Sequence, residues 1–265
     1  MSQPILSVAE AAALLRQAHE TATPIAPLTG RVEGGDAATA YAIQEANTQY
    51  WLTNGRGLSG RKIGATSKAV QTMLGLNQPD YGMLFADMAF GDGEAIPVSQ
   101  VLQPKVEGEI AFYLGDDLDG EGLTLADVLH AVEYAVAAIE IVGSRIADWN
   151  IKILDTIADN ASSGLYVLGS QPRKLGEFDP VLCGMVMDRQ GDPVATGAGI
   201  ACLGNPLVST LWLARKMVEV GRPLKRGDTI LSGSLGPLVP VAAGDAIELR
   251  ISGLGNVRCS FEGGR

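Results

Sequence analysis

Val106-Glu-Gly-Glu-Ile-Ala-Phe-Tyr-Leu114 alternates with the two-residue period of an extended strand. One face takes Val106, Gly108, Ile110, Phe112 and Leu114, apolar throughout; the other opens with Glu107 and Glu109 and continues with Ala111 and Tyr113. Downstream, the capping box Thr124-Leu-Ala-Asp127 predicts a helix with Leu125, Val128, Leu129 and Val132 on one face. The stretch from Ala135 to Val142 is apolar except for Glu140, and a polar stretch from Asp148 to Gly164 precedes a strand over 165–168. Two strands around Met185 and Val194 flank a hairpin at 189–192. A helix opens at Asn205-Pro206 and stops near Gly221, and several glycine-punctuated strands fill the tail from Asp228 to Phe261. Upstream, the capping box Ser7-Val-Ala-Glu10 starts a helix that runs to about His19. A loop spans Thr21 to Gly35, and a second helix follows Asp36 and stops at Asn54-Gly55. A strand is expected over 58–66, a short helix over 67–75, a loop through Gln78-Pro-Asp-Tyr-Gly82, and short strands from about residue 83. Many strands with few crossover helices predict an α+β fold, not a doubly wound sheet.

Composition narrows the function. The 265 residues carry 20 basic and 30 acidic side chains, a net charge of −10, which disfavours nucleic acid and anionic membranes as partners. No run of 18 apolar residues occurs and the first stretch lacks a basic n-region, so neither a membrane span nor a signal peptide is read and a cytoplasmic protein is expected. Cys183, Cys202 and Cys259 are too scattered for a metal cluster, and two histidines, His19 and His130, cannot build a zinc site. No G-x-S-x-G elbow is present. Acid–base chemistry must therefore rest on carboxylates, lysine or metal-bound water. Gly55-Arg-Gly-Leu-Ser-Gly60 fits the dinucleotide fingerprint in letters only, because a helix precedes it and a strand follows, the reverse of what phosphate binding requires.

Glu107 and Glu109 project from the same strand face, where like charges repel unless a cation or proton lies between them; alone, such a pair also describes a solvent-facing edge. Glu140 is more telling. Inside Tyr134-Ala-Val-Ala-Ala-Ile-Glu-Ile-Val142 an unpaired carboxylate would cost several kcal/mol, so either Arg145 or a metal should compensate it. If Glu107, Glu109 and Glu140 converge, three oxygen donors suit a hard dication, Mg²⁺ or Mn²⁺. Lys62, between Gly60 and Gly64, could hold a substrate anion or shuttle protons near such a site; it also reads as half of an exposed Arg61-Lys62 pair.

Six blocks occur together: Gly60-Arg-Lys-Ile-Gly64, Gln78-Pro-Asp-Tyr-Gly-Met-Leu-Phe-Ala-Asp87, Gln103-Pro-Lys-Val-Glu-Gly-Glu-Ile-Ala-Phe112, Ala138-Ile-Glu-Ile-Val-Gly-Ser-Arg-Ile-Ala147, Ala158-Asp-Asn-Ala-Ser-Ser-Gly164 and Leu231-Ser-Gly-Ser-Leu-Gly-Pro237. In combination they resemble the 2-hydroxypentadienoate (2-oxopent-4-enoate) hydratases of the fumarylacetoacetate hydrolase superfamily, over residues 28–261. The resemblance implies a small N-terminal α/β region over 1–80 on a mixed, rolled β-sheet core over 81–265, and a homo-oligomer with one Mg²⁺ or Mn²⁺ per subunit. It implies Glu107, Glu109 and Glu140 as metal ligands, Lys62 as the catalytic lysine, and Asp80 and Ser162 as substrate-binding residues. The implied reaction adds water to a small 2-oxo/2-hydroxy-dienoate in aromatic meta-cleavage catabolism. The sister 4-oxalocrotonate decarboxylases share the triad and the Asp-Asn-Ala-Ser-Ser block, and a C–C hydrolase of the superfamily or a non-catalytic anion-binding partner are further alternatives. Gly60-Arg-Lys-Ile and Gly82-Met-Leu-Phe-Ala-Asp look more like the hydratases, while Ser234 stands where Ala is common.

Overall fold

The structure is a computed structural model that describes residues 5–67, 71–72 and 77–263. The N-terminal helices are α1 (Val8–Thr21) and α2 (Ala37–Thr53). The expected capping box opens α1: the Glu10 amide donates to the Ser7 hydroxyl, and the Glu10 carboxylate accepts from the Ser7 amide at 2.8 Å. Asp36 caps α2 by accepting from the Thr39 amide at 2.8 Å. The strands that follow are β1 (Leu58–Gly64), β2 (Asp80–Phe85), β3 (Ala89–Gly91), β4 (Ala95–Pro97) and β5 (Lys105–Leu114). Helix α3 (Leu125–Ala131) leads directly into β6 (Val132–Val142); α4 (Ile153–Ala158) and β7 (Leu165–Leu168) come next. The hairpin of β8 (Gly184–Arg189) and β9 (Asp192–Ala198) precedes α5 (Pro206–Glu219), and β10 (Thr229–Ser234), β11 (Val239–Pro240), β12 (Ala246–Ile251) and β13 (Gly255–Glu262) complete the chain.

The strands form two sheets. The larger is mixed, ordered β2-β1-β10-β5-β6-β7-β3 with β11 beside β5, and curls into the rolled core expected. The smaller is ordered β4-β13-β12-β8-β9. Parallel pairs occur at β1–β10, β3–β7 and β4–β13. The centre is the antiparallel β5–β6 ladder, whose register sets Glu107 opposite Glu140 and Gly108 opposite Ile139. Gly108, on the apolar face of β5, backs onto Met185 and Leu249 of the smaller sheet, which turns both glutamates of β5 to the opposite face. Ile110, Phe112, Ile139 and Ile141 are fully buried, and each such side chain contributes about 1.5–3 kcal/mol. A second apolar cluster joins α1 and α2 to α4 through Ala12, Leu15, Ile43, Leu154 and Ile157.

Strand β2 is the open edge of the larger sheet, and two side-chain amides cover it. Gln44 of α2 donates to the Tyr81 carbonyl at 2.9 Å and the Ile157 carbonyl at 3.1 Å. The Asn160 amide accepts from Met83 N at 2.7 Å and donates to Met83 O at 2.9 Å. An edge satisfied in this way offers no template to another strand.

Several local expectations change. Asp80, Tyr81 and Gly82, read as loop, lie in β2, because pairing with β1 overrides their turn-forming composition. The helix over 125–132 ends one residue early; Leu129 is 47% exposed instead of lining a buried face, and Val132 opens β6. The polar stretch before β7 contains α4, whose Asp155 is fully buried because it accepts from Leu28 N at 2.6 Å and Thr29 N at 3.0 Å. The short helix expected over 67–75 lies largely outside the described residues, although Gln71 and Thr72 are helical. Gly55–Gly60 joins α2 to β1, the helix-then-strand order expected there. No helix among the described residues is long and apolar enough to cross a membrane.

Gly60 fixes the approach of β1 to β10: a Cβ there would lie 1.8 Å from the Thr229 carbonyl oxygen. Gly60→Ala should cost more than about 2 kcal/mol, while Gly57→Ala, which meets nothing within 4 Å, should stay within about 0.5 kcal/mol. Urea unfolding of both variants checks this; equal midpoints would refute it.

Candidate active site

Three strands of the larger sheet deliver the charged side chains, β5 and β6 as neighbours and β1 from the far side of β10. Strand β5 supplies Glu107 and Glu109, β6 supplies Glu140, and β1 supplies Lys62. One carboxylate oxygen from each glutamate lies within 4.8 Å of the others, so the three residues expected to converge do so. Glu109 and Glu140 are fully buried and Glu107 is half-buried. The second oxygen of Glu109 accepts from Gly233 N at 2.8 Å. Glu109 Oε1 and both oxygens of Glu140 have no hydrogen-bond partner. Buried carboxylate oxygens are rarely left in that condition, and an all-oxygen cluster with unclaimed lone pairs fits a hard divalent cation.

Glu140 finds its protein counter-charge in Lys62, whose Nζ stands 3.1 Å from Oε1. Arg145, the alternative partner, is engaged elsewhere. Its guanidinium pairs with the Asp159 carboxylate and donates to the carbonyls of Asp159 at 2.7 Å and Ser163 at 2.8 Å. Lys62 is 3% exposed, which excludes the exposed-pair reading, and its Nζ also donates to the Ala161 carbonyl at 3.0 Å. Burial alone would lower the lysine pKa; Glu140 foremost, then Glu107, Asp80 and Glu109, outweighs it and raises Lys62 above the ordinary amine value. It is an ammonium that donates a hydrogen bond to Ala161 O and stands in an ion pair with Glu140.

Burial, then repulsion from Glu140, pushes Glu107 up to about 7, and the same two causes, with Glu107 adding to them, raise Glu109 well above the carboxylate range. Asp80 is 2% exposed with an unpartnered Oδ1; burial pushes it up against the pull of Lys62. Ser162 is buried, its hydroxyl 3.3 Å from that of Thr156, one residue beyond the carbonyl that holds Lys62. A cavity of about 550 Å³ lies apart from this cluster, lined among others by Leu15, His19, Trp51, Phe85 and Arg145; neither Lys62, Asp80 nor any of the three glutamates lines it.

Sequence reasoning missed the shape of the turn after α4. Asn160, Ala161 and Ser162 have φ of 55°, 52° and 56°, three successive left-handed residues without a glycine among them. Each such residue costs roughly 1–2 kcal/mol, and strain of this kind collects where a site needs it. The available signal was Asn160, since Asn tolerates that region better than most residues.

A rolled mixed sheet that gathers three glutamates and one buried lysine at a single place could hold a divalent metal beside an acid–base group, the site of a small-molecule enzyme. The chain belongs to the fumarylacetoacetate (FAA) hydrolase family, whose C-terminal domain model matches residues 56–262. It is 60% identical over 255 residues to the TodF product hydratase of Pseudomonas putida F1, covering 96% of this chain and 95% of that protein. It is 54% identical over 257 residues to 2-keto-4-pentenoate hydratase 1 of Dechloromonas aromatica, covering 97% and 98%. The 4-oxalocrotonate decarboxylase from Pseudomonas putida G7, solved with magnesium and adipate, matches with a TM-score of 0.92 at 32% identity, covering 98% of this chain and 100% of that one.

The raised carboxylates carry a sign. The folded, metal-free chain keeps a proton at Glu107 up to about pH 7, whereas an ordinary glutamate releases it near 4.5. Stability from this group is therefore present below about 4.5 and lost as pH rises toward 7. In metal-free protein, Glu107→Gln should overtake wild type in Tm as pH climbs from 5 to 8, and divalent metal should close that gap by raising wild type alone. Thermal melts across that range are the check, and a pH-independent gap would contradict it.

Proposed function

We propose that this chain is a hydro-lyase that adds water to 2-hydroxypenta-2,4-dienoate, giving 4-hydroxy-2-oxopentanoate in aromatic meta-cleavage catabolism. Glu107, Glu109 and Glu140 hold one Mg²⁺ or Mn²⁺, Lys62 is the catalytic residue, and Asp80 and Ser162 bind substrate. The observation that carries the reading is the buried Lys62 ammonium 3.1 Å from a glutamate that also has unclaimed lone pairs, in a chain 60% identical to a product hydratase.

The bound cation would supply positive charge for the substrate carboxylate and the neighbouring 2-oxygen. Lys62 Nζ, hydrogen-bonded to Ala161 O and ion-paired with Glu140, is the donor that would meet the negative charge growing on the 2-oxygen. As the dienol ketonises, its terminal C5 takes up a proton and the C3–C4 double bond becomes conjugated with the 2-carbonyl. The oxygen of water then bonds to C4, and a proton is delivered to C3. Asp80, buried with a free Oδ1 and a raised pKa, is suited to accept or return a proton in these steps. The low exposure of Lys62, Asp80, Glu109 and Glu140 keeps bulk water from screening their charges.

The structural likeness to a decarboxylase supports a second reading, in which the substrate is a six-carbon diacid. A second substrate carboxylate calls for a second cation, and among the described residues Lys62 is the cation paired with the acidic cluster. Met83, Leu84 and Phe85 of the neighbouring strand are buried and apolar. Hydration is therefore favoured. Purified protein with Mg²⁺ should convert 2-hydroxypenta-2,4-dienoate to 4-hydroxy-2-oxopentanoate and release little CO₂ from 4-oxalocrotonate, as followed by NMR. Decarboxylation without hydration would reverse the assignment.

Two variants separate chemistry from metal binding. Lys62→Met should lose about 10²–10⁴ in turnover with Mn²⁺ affinity retained, since an ammonium is not a ligand. Glu109→Gln should lose Mn²⁺ affinity itself. Calorimetry beside steady-state rates distinguishes the two, and wild-type metal affinity in Glu109→Gln would remove the triad from the assignment.

A further inference from the structure

The left-handed turn Asn160-Ala161-Ser162 is held on every side by groups outside it. Arg145 grips its start through Asp159 and its end through the Ser163 carbonyl, and Gly143 N donates to the Ser162 carbonyl at 2.9 Å. The remaining anchor is Asn160. Its side-chain amide occupies both the N–H and the C=O of Met83, at 2.7 and 2.9 Å, as an adjoining strand would. Strand β2 permits this approach because its residue beside Met83 is Gly82, where a Cβ would lie 2.3 Å from the Asn160 carbonyl oxygen. Gly82 is also the register partner of Lys62 across β1–β2. The clamp therefore joins the strand next to Lys62 to the turn whose Ala161 carbonyl accepts a hydrogen bond from Lys62 Nζ at 3.0 Å.

We propose that Asn160 is a positioning residue: by clamping the turn to β2 it sets the Ala161 carbonyl at the height that holds Lys62 Nζ against Glu140. This rests on the reading of Lys62 as the acting group. Asn160 touches neither the acidic cluster nor Lys62 through its side chain; it acts through the peptide that follows it. Two hydrogen bonds in opposite senses are needed, which Asn supplies and neither Asp nor Ala does. A displacement of Nζ by about 1 Å is enough to cost two orders of magnitude in rate.

The test compares Asn160→Gly, Asn160→Ala and Asn160→Asp with wild type in turnover of 2-hydroxypenta-2,4-dienoate, with Mn²⁺ titration of each. Glycine accepts a φ of 55° freely, so Asn160→Gly removes the clamp without adding backbone strain. Its kcat should fall about 10- to 100-fold, with KM within threefold and Mn²⁺ affinity within twofold of wild type. Asn160→Asp, which keeps the acceptor and loses the donor, should fall between. Combined with Lys62→Met, Asn160→Gly should produce no further loss, because the group it positions is gone. Wild-type kcat in folded Asn160→Gly, or the full factor repeated in the Lys62→Met background, would overturn the proposal. A crystal structure of metal-loaded Asn160→Gly tests the clamp without turnover: Nζ should leave Ala161 O or Glu140, and an unmoved Nζ refutes the clamp. If wild type binds Mn²⁺ but does not hydrate the dienoate, the proposed reaction fails, and this structural arm alone decides the role of Asn160.

Discussion

The register that sets Glu107 opposite Glu140 is the constraint around which the molecule is organised. Two like charges directly across an antiparallel pair work against the pairing that brings them together. The ladder survives because apolar packing favours it: Ile110, Phe112, Ile139 and Ile141 are fully buried on the face opposite the glutamates, and a one-residue slip of either strand would carry its pair to the glutamate face. Apolar burial on one side of β5 and β6 thus holds together an electrostatic conflict on the other. Lys62 relieves part of that conflict, and unclaimed oxygens on Glu109 and Glu140 mark the part left for a cation.

That division of labour explains why the lysine sits where it does. Exposed, Lys62 would lose its side chain to solvent and its charge to screening. Between Glu140 and the Ala161 carbonyl it is both charged and confined to one direction. The surrounding supports are peptide groups and neutral amides: Gly233 N on Glu109, Ala161 O on Lys62, Gln44 and Asn160 along the edge of β2. None adds a formal charge near a cluster whose net charge already decides what it binds. The second strong ion pair nearby, Arg145 with Asp159, is internally neutral and serves the turn.

Much of this was readable in the sequence, for identifiable reasons. The strand at 106–114 declared itself through its two-residue period, and Glu140 through the cost of a charge in an apolar run, because both signals are local. Capping boxes at Ser7 and Thr124 marked helix starts for the same reason. Partner choice was not readable. Arg145 is five residues from Glu140 and Lys62 is far away in the chain, yet Asp159 captures the arginine and the sheet order brings in the lysine. The placement of Asp80 in a strand depends on pairing with β1, which its Pro-Asp-Tyr-Gly setting does not advertise. Three successive left-handed residues are likewise sustained by tertiary contacts, so no local propensity announces them.

The position of β10 between β1 and β5 has a consequence for how the molecule comes into being. Residues 58–64 and 105–114 are synthesised early, but they become neighbours in one sheet only through residues 229–234. During synthesis the β1–β2 pair and the β5–β6 ladder can each form from nearby sequence, as separate fragments. One carries the lysine and the other all three glutamates. They meet when the last quarter of the chain slides between them, so competence for chemistry and completion of the fold arrive in the same event. A nascent or truncated chain would hold an acidic cluster without its lysine, able to attract cations but with nothing to direct their use.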